Sequence, residues 1–400
     1  SSPATRAWLD GLVAREQNRV SVLSEASVRD HATACNLAAR HAQGEYLVLL
    51  HEDTVIMHDD WLDALLNHGQ RPEVGIVGAQ LMHPNGMVEQ AVQVLGLNGP
   101  GNSAFSGLPH DEGYMRRLEL DQNVSAVSGA CLLIRRALYL DVGGMDEGLA
   151  QRTGASLDLC LKARQAGYLT VWTPHAVLVC EGQGELVPAE AVEAEQDALY
   201  GKWLPVIARD PAYNRNLSLQ GAGFELETDP GLSWNPLSWR PLPVLLSMPG
   251  ELAGTARSRV VDPALSMSIA GLADVRLALR PYLPAELERL QPDSWVMRRP
   301  ASEAQIDALR RNARFSRAFK VGEVNADLPG LADGDLAGAL RWSAGVVDRL
   351  VVPTPALAEA LQGFCADIRV MPDRLHPARW GALATQRQPG SRPRIGGGGD

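Results

Sequence analysis

The sequence predicts an α/β protein of more than one domain, and three observations carry that prediction. Helix-like and strand-like segments alternate along most of the chain, the order expected of a sheet flanked by helices. Several strand-like segments, such as Glu45–Leu50 and Val74–Leu81, are short and almost continuously apolar, as in strands buried on both faces. The chain has 400 residues, too many for one ordinary core. At roughly 100–200 residues per domain it suits two or three.

Taken in order, Thr5–Arg15 has Trp8, Leu12 and Val13 at helical spacing, and Arg19–Leu23 reads as a short strand. Ala32–His41 is a second helix, rich in small apolar residues and ended by Gly44 ahead of the strand Glu45–Leu50. A polar turn, His51–Thr54, follows. Asp59 and Asp60 then open a helix carrying Trp61, Leu62, Leu65 and Leu66. Pro72 separates it from the strand Val74–Leu81, and the turn His83–Gly86 leads to Met87–Leu95, whose partial alternation suggests a more exposed antiparallel strand. Asn98–Gly113, rich in Gly, Ser and Pro, is longer than a usual connection and reads as a mobile active-site loop or as disorder. Beyond it come a strand (Ser125–Ile134), a short helix (Arg136–Val142), a helix (Ser156–Gln165) stopped by Gly167, a strand (Leu169–Val179) and an outer helix (Pro188–Trp203).

The texture turns to Pro, Trp, Asn and Ser between Asp210 and Pro243, which places a linker at 223–242 between domains at 1–222 and 243–400. The second domain resumes the alternation, with strands at Pro243–Ser247, Ser294–Met297, Phe319–Val324, Arg349–Val352 and Ile368–Met371 and helices at Glu303–Arg314 and Pro355–Phe364. It reads as a Rossmann-like α/β domain and not as a repeat of the first.

Composition narrows the function classes. Formal net charge is −10 and no block of Lys and Arg is long enough to track a phosphate backbone, so nucleic acid is not an expected partner. Pairs such as Arg116-Arg117, Arg135-Arg136 and Arg298-Arg299 read as solvated faces or phosphate-facing points. Five cysteines, odd in number and without a CxxC pair, argue against a disulfide framework or a structural zinc site and suit a reducing cytoplasm. No apolar run reaches the ~18–20 residues of a membrane helix, which leaves peripheral contact with a membrane open.

Five stretches, in order, resemble the inverting GT-A glycosyltransferases, rhamnosyltransferase-like members in particular. They are NLAARHAQGEYLVLLHEDT, VGIVGAQLMHPNGMVEQAVQVLG, VSAVSGACLLIRRALYLDVGGMDE, LDLCLKARQAGYLTVWTPHAVL and DPAYNRNLSL. The resemblance spans Ser1 to about Leu219. It implies a GT-A-type mixed sheet flanked by helices, a nucleotide-diphospho-sugar donor, a glycan or lipid-linked acceptor, and Mg²⁺ or Mn²⁺ bridging the diphosphate. It implies a cytoplasmic setting, with the inner face of a membrane within reach. Ser1–Arg6 is similar to family text that follows the second strand, so the first two strands and a base-recognising aspartate are expected upstream.

Site residues carried over from the resemblance fall into three groups. The family's acidic metal-binding triplet reads His51-Glu52-Asp53, with Asp53 on the metal-binding aspartate; the plain alternative is a turn or helix-capping residue. His51 could ligate a metal or hydrogen bond to the nucleotide, and Glu52 lies between them, turned toward solvent or substrate. The pair that supplies the catalytic base aligns with Ala155 and Ser156, neither of which is a base, while Asp158 matches a second aspartate that either catalyses or braces the helix. Cys180 stands where relatives carry a histidine near the metal. Gly129 and Ala130 occupy the acceptor-side strand, where small residues admit a sugar. Tyr114 is the expected stacking aromatic, and Trp61, Trp172 and Trp203 are expected in the core or at its rim.

From Ala264 onward, FKVGEVNADLP, DRLVVPTPALAEAL and IRVMPDRLHPARW resemble the amino-terminal half of GT-B glycosyltransferases, cut off at a glycine run where the other half would begin. Two functions compete. One is sugar transfer with inversion onto a polysaccharide or glycoconjugate. The other is a catalytically degenerate module that binds glycan or nucleotide, or scaffolds another transferase. A hydrolase built on Asp53 with Glu52 or Asp158 is a remote third, since Gly-x-Ser-x-Gly and HExxH patterns are missing.

Overall fold

The computed structural model describes residues 3–16, 19–23, 28, 30–110, 113–149, 151–182, 188–233, 239–298, 303–325 and 345–374. Two compact units form: unit 1 is Ser1–Trp203 with Asp210–Asn214 and Gln220–Glu225, and unit 2 is Leu204–Arg209, Arg215–Leu219 and Leu226–Asp400. The chain thus passes between them more than once from 203 to 226, mostly ahead of the linker expected at 223–242.

Unit 1 is built on a seven-stranded mixed sheet. Its main path runs β1 (Tyr46–Leu50), β8 (Cys131–Arg135), β3 (Val74–Met82), β9 (Leu169–Cys180) and β2 (Thr54–Ile56), with β4 (Val88–Gln90) added to β3 and β7 (Gln122–Val124) to β9. β3 and β9 are parallel; the remaining pairings are antiparallel. β3 is buried along almost its whole length, as its uninterrupted apolar run requires of a strand with neighbours on both edges and helices over it. Leu65 of α3 (Trp61–Gly69), Val77, Leu81, Leu133, Val171, Leu178 and Cys180 pack in one cluster. Gly78 is needed because a Cβ there would stand 2.3 Å from Val127. Trp172 is wholly buried and Trp203 is at the rim of the core.

Four expectations are corrected. Arg19–Leu23 forms no strand; Val22 and Leu23 are exposed and find no partner edge. Met87–Leu95 is two strands, β4 and β5 (Gln93–Leu95), because the chain turns at Ala91, whose N–H is taken by Ser103 Oγ (2.9 Å) and not by a ladder. The Gly-rich stretch beginning at Asn98 holds β6 (Gly101–Ser103), which closes a hairpin with β5, and it buries Ala104 and Phe105. Strand structure in Ser125–Ile134 is confined to β8.

α1 (Pro3–Arg15) buries nothing despite its helical spacing. α2 (His31–His41) is fixed by a capping box in which Asp30 Oδ1 accepts from Thr33 N (2.8 Å) and Thr33 Oγ1 from Asp30 N (3.3 Å). α4 (Arg136–Asp141), α5 (Arg152–Gln165), a 3-10 helix at Tyr114–Glu119 and α6 (Ala189–Ile207), whose residues from Leu204 onward count with unit 2, follow.

β9 has one irregularity that matters later. It pairs with β3 in two stretches, Gly78 opposite Trp172 and then Gln80 opposite Val177, so that one residue of β3 faces four of β9. Pro174, which has no N–H to give a ladder, lies in that bulge.

Unit 2 holds a six-stranded sheet, parallel throughout, in the order β11 (Asp274–Leu277), β10 (Val244–Met248), β12 (Ser294–Arg298), β13 (Phe319–Glu323), β14 (Arg349–Val352), β15 (Ile368–Val370). The first strand in sequence sits second in the sheet, so the winding direction reverses between β10 and β12, as in doubly wound folds. β10 is buried at every position. Among the helices, α7 (Gly254–Ala256) runs through a π-helical turn, Arg257–Val261, into α8 (Asp262–Ile269); α9 is Pro284–Leu290, α10 Glu303–Ala313 and α11 Pro355–Ala360. β11 and α7 to α9 carry no element expected from the sequence. The mixed sheet flanked by helices and the further Rossmann-like parallel sheet are the architecture that the sequence predicts.

Candidate active site

The chain leaves β1 at Leu50 and turns at once. His51 N donates to Ala130 O (2.8 Å), and His51 O accepts from Thr54 N (3.1 Å) and Thr54 Oγ1 (2.6 Å). The turn feeds β2, whose Thr54 lies opposite Cys180 at the end of β9, and Asp53 O accepts from Glu181 N (2.9 Å). Asp53 therefore springs from backbone held on both sides. Gly182 keeps its far side open, since a Cβ there would stand 2.4 Å from Oδ2.

Charge gathers around this carboxylate. His51 Nδ1 lies 2.5 Å from Asp53 Oδ1, and Arg152 Nη1 lies 3.7 Å from the same oxygen. The Asp53 and Arg152 side chains are about one-fifth exposed, at 21% and 20%. Glu52 reaches His51 Nε2 at 3.4 Å but is 89% exposed, so the pairing adds little. The His31 ring centroid is 5.8 Å from that of His51. Burial, then the positive charges of His51 and Arg152, hold the His31 imidazole below its usual pKa. Cys180 joins the group as a neutral thiol: burial pushes its pKa up, and a hydrogen bond with Glu89 adds to the shift.

Arg152 is placed by a chain of local causes. It begins α5, whose preceding residue, Gln151, offers no side-chain cap. The cap comes instead from α6: Glu195 Oε2 accepts from Gln151 N (2.8 Å), and its carboxylate also takes Gly154 N. A carboxylate over free N–H groups at a helix start satisfies donors and complements the helix dipole. Gly154 makes room, for a Cβ there would meet Glu195 Oε1 at 2.0 Å. Gly129 makes room on the other side, where a Cβ would touch Ser156 Cβ (3.0 Å) and Arg152 Cγ (3.1 Å). Its lack of a side chain admits the first turn of α5 in this structure.

The remaining sequence candidates are distributed as follows. Ala130 is wholly buried and acts through its carbonyl on His51. Ala155 and Ser156 are wholly buried in α5, and Ser156 Oγ donates to Thr153 O (3.0 Å). Asp158 is wholly buried too: Oδ1 accepts from Trp203 Nε1 (2.8 Å) and pairs with Lys202 Nζ (2.5 Å), while Lys162 Nζ lies 2.8 Å from Oδ2. Tyr114 stacks on Phe224 (5.7 Å between centroids), which also stacks on Phe105 (4.9 Å). The structure thus brings together His51, Glu52, Asp53 and Cys180, and sets Gly129 and Ala130 directly behind them. Sequence reasoning missed Arg152 and Glu195, which stand in none of the quoted stretches, and Glu89, which stands in the second of them without being singled out.

Residues 1–143 match the family model described as Glycosyl transferase family 2. This part of the chain is similar to glycosyltransferase family 2 domains. Relatives of this domain include an uncharacterized protein, y4gI, of Sinorhizobium fredii (strain NBRC 101917 / NGR234), 36% identical over 231 residues that make up 56% of this chain and 25% of the relative. The O-antigen biosynthesis protein RfbC of Myxococcus xanthus is 33% identical over 216 residues, 50% of this chain and 16% of the relative. An N-acetylglucosaminyl-diphospho-decaprenol L-rhamnosyltransferase of Mycobacterium tuberculosis (strain CDC 1551 / Oshkosh) is 35% identical over 124 residues, 29% of this chain and 40% of the relative. The aligned stretches thus cover from about one-sixth to two-fifths of these relatives' lengths. A solved structure of GalNAc-T7 with UDP, GalNAc and Mn²⁺ aligns at a TM-score of 0.42 and 16% identity, covering 52% of this chain and 42% of the other.

Whether the side chains around Asp53 suit a divalent ion can be tested on the donors present. Among the described residues no group of three or more His, Cys, Asp and Glu side chains is arranged to hold a metal. Asp53 Oδ1 is shared by His51 and Arg152, His51 Nδ1 is spent on that oxygen, Cys180 is a neutral thiol bonded to Glu89, and Glu52 is 89% exposed. Mg²⁺ and Mn²⁺ favour several oxygen ligands, and the guanidinium brings positive charge to the place the ion would take. The side chains do not fit a hard cation by themselves.

Proposed function

We propose that the family 2-like domain binds a nucleotide-diphosphate sugar and transfers the sugar, with inversion, to a polysaccharide or glycoconjugate acceptor. The observation that carries this reading is Asp53, held at the carboxyl end of β1 with His51 and Arg152 around it, where an α/β sheet receives its ligands. Inversion by direct displacement needs counter-charge on the departing diphosphate and a base on the acceptor hydroxyl. Sugar transfer and O-antigen biosynthesis in the relatives' names support the same class. In unit 2, the parallel sheet and its winding support the reading as a GT-B-type amino-terminal half. A nucleotide-sugar donor puts the reaction in the cytoplasm, and a lipid-linked acceptor would bring the chain to the inner membrane face. No helix among the described residues is long and apolar enough to cross a membrane.

The test is transfer from a panel of nucleotide sugars to a lipid-linked glycan, followed by mass spectrometry, with Asp53→Asn beside the wild type. Product from the wild type and a loss of about a hundredfold or more in the variant are expected, the scale of removing one charge-stabilising group. Equal turnover by both would sink the assignment of Asp53.

A specific observation favours a second reading, a degenerate binding or scaffolding module. Ala155 and Ser156 stand where a base is expected, Ser156 is turned back into its own helix, and Asp158 is enclosed by two lysines and a tryptophan. Nucleoside diphosphate binding without turnover on any acceptor would select it.

A further inference from the structure

Arg152 is the one cation drawn to Asp53 that no motif announces, and its surroundings are unusual for a guanidinium so far buried. Only 20% of its side chain is exposed, and its ionic partner, Asp53 Oδ1, is 3.7 Å away, beyond hydrogen-bond distance. Among the described residues the guanidinium donates no hydrogen bond. A planar group with five donors, positioned by Glu195 and Gly129, would normally spend them on carbonyls or carboxylates. The same cluster carries His31, His51 and Cys180, and the Arg152 charge helps to lower the pKa of His31 and opposes the rise in that of Cys180.

We infer that Arg152 is the diphosphate anchor of this site, a guanidinium that supplies directly the positive charge for which the side chains around Asp53 provide no metal cage. The inference rests on the glycosyltransferase reading above and deepens it. The chemistry suits the geometry: a guanidinium pairs with two oxygens of one phosphate through parallel N–H bonds and keeps its charge at every working pH. Asp53, by sharing its Oδ1 between His51 and Arg152, holds both donors at the same edge of the site. Arg152 acts in this scheme as a ligand-contacting residue, and Asp53 positions it.

Isothermal titration of the full chain with UDP, GDP and dTDP, in EDTA and again with Mn²⁺, tests the inference, with Arg152→Ala and Arg152→Lys run beside the wild type. Thermal melts of all three proteins show whether each is folded. The expected result is binding of at least one nucleoside diphosphate that EDTA leaves unchanged. Arg152→Ala should weaken it by about tenfold to a hundredfold, the range for one charge-assisted contact. Arg152→Lys, which keeps the charge and loses the fork, should fall between. If wild-type binding vanishes in EDTA and returns with Mn²⁺, or if a folded Arg152→Ala binds as the wild type does, the inference is overturned and the glycosyltransferase reading stands. If no nucleoside diphosphate binds in either condition, the glycosyltransferase reading itself fails and the anchor fails with it.

Discussion

Both sheets place charged side chains at the carboxyl ends of their strands, yet the two units treat those charges in opposite ways. In unit 2 the end of β13 supplies Glu323, which pairs with Arg259 from the π-helical turn; both side chains are 2% exposed. Arg259 also reaches Asp373 (2.6 Å) and Met371 O (3.0 Å), and Arg298 at the end of β12 pairs with Glu251 (2.8 Å) and donates to Thr255 Oγ1 (2.7 Å). Burial raises the Glu323 carboxyl's pKa even with Arg259 opposing the shift. In unit 1 the corresponding edge keeps Asp53 and Arg152 about one-fifth exposed and leaves their mutual distance too long for a hydrogen bond. Charges enclosed against one another hold a fold; charges left partly unsatisfied at an accessible edge are available to a ligand.

This contrast can be broken at either end. The largest expected effect is in unit 2: Glu323→Ala strands Arg259 in the interior and should cost about 3–5 kcal/mol, the usual toll of removing one partner from a buried pair. Urea unfolding followed by Trp fluorescence measures it, and a loss below the range of ordinary surface changes would show that Asp373 alone suffices.

Asp158 in unit 1 belongs with the closed charges. Asp158→Asn leaves Lys162 and Lys202 facing an uncharged amide and should destabilise by about 3 kcal/mol, while the folded fraction still binds nucleoside diphosphate. A stable variant with abolished transfer would move Asp158 into the chemistry.

Glu195 offers a pH test of the α5 cap. Burial raises its carboxyl above the ordinary value near 4.5, despite the backbone bonds that oppose the shift. The folded state then holds the proton more tightly than the unfolded state. Stability from this group is complete below the unfolded pKa and is lost as pH rises through the folded one. Glu195→Gln, which cannot ionise, should therefore gain on the wild type in thermal melts as pH climbs through that window. A constant difference between the two would remove burial as the cause.

The smallest effect on stability should come from Asp53→Asn. Asp53 is one-fifth exposed and closely paired with His51, but Asn keeps an oxygen for that bond, so the unfolding free energy should change by no more than about 1 kcal/mol. A cost of several kcal/mol would reclassify the Asp53 cluster as structural and erase the contrast between the units.

What the sequence made legible follows from how locally each feature is determined. β1 and β3 were readable because nearly every residue in them is apolar, and the turn after β1 because polar residues interrupt that run. Asp53 could be singled out from the turn and its resemblance. Arg152 could not: nothing near Gln151 marks a helix start, since the cap is Glu195, more than forty residues on. The same holds for β11, a half-buried edge strand of mixed polarity, and for the break at Ala91, which depends on Ser103 arriving from another strand. Arg19–Leu23 shows the reverse error, a strand-like sequence with no edge to join.

The bulge in β9 carries a consequence for which changes the domain tolerates. Side chains on a strand alternate faces, so an odd number of surplus residues inverts the parity of all that follows. The surplus here is odd, and it is what lets Val171 before the bulge and Leu178 and Cys180 after it enter the same apolar cluster. Removing or adding a single residue at 173–176 would rotate the whole far end of β9, turning Leu178 outward and taking away the surface on which the Asp53 turn is seated. Removing two would keep the facing and shorten only the detour. A length series through this short stretch is thus expected to alternate between folded and misfolded proteins, with odd and even changes behaving as two separate classes.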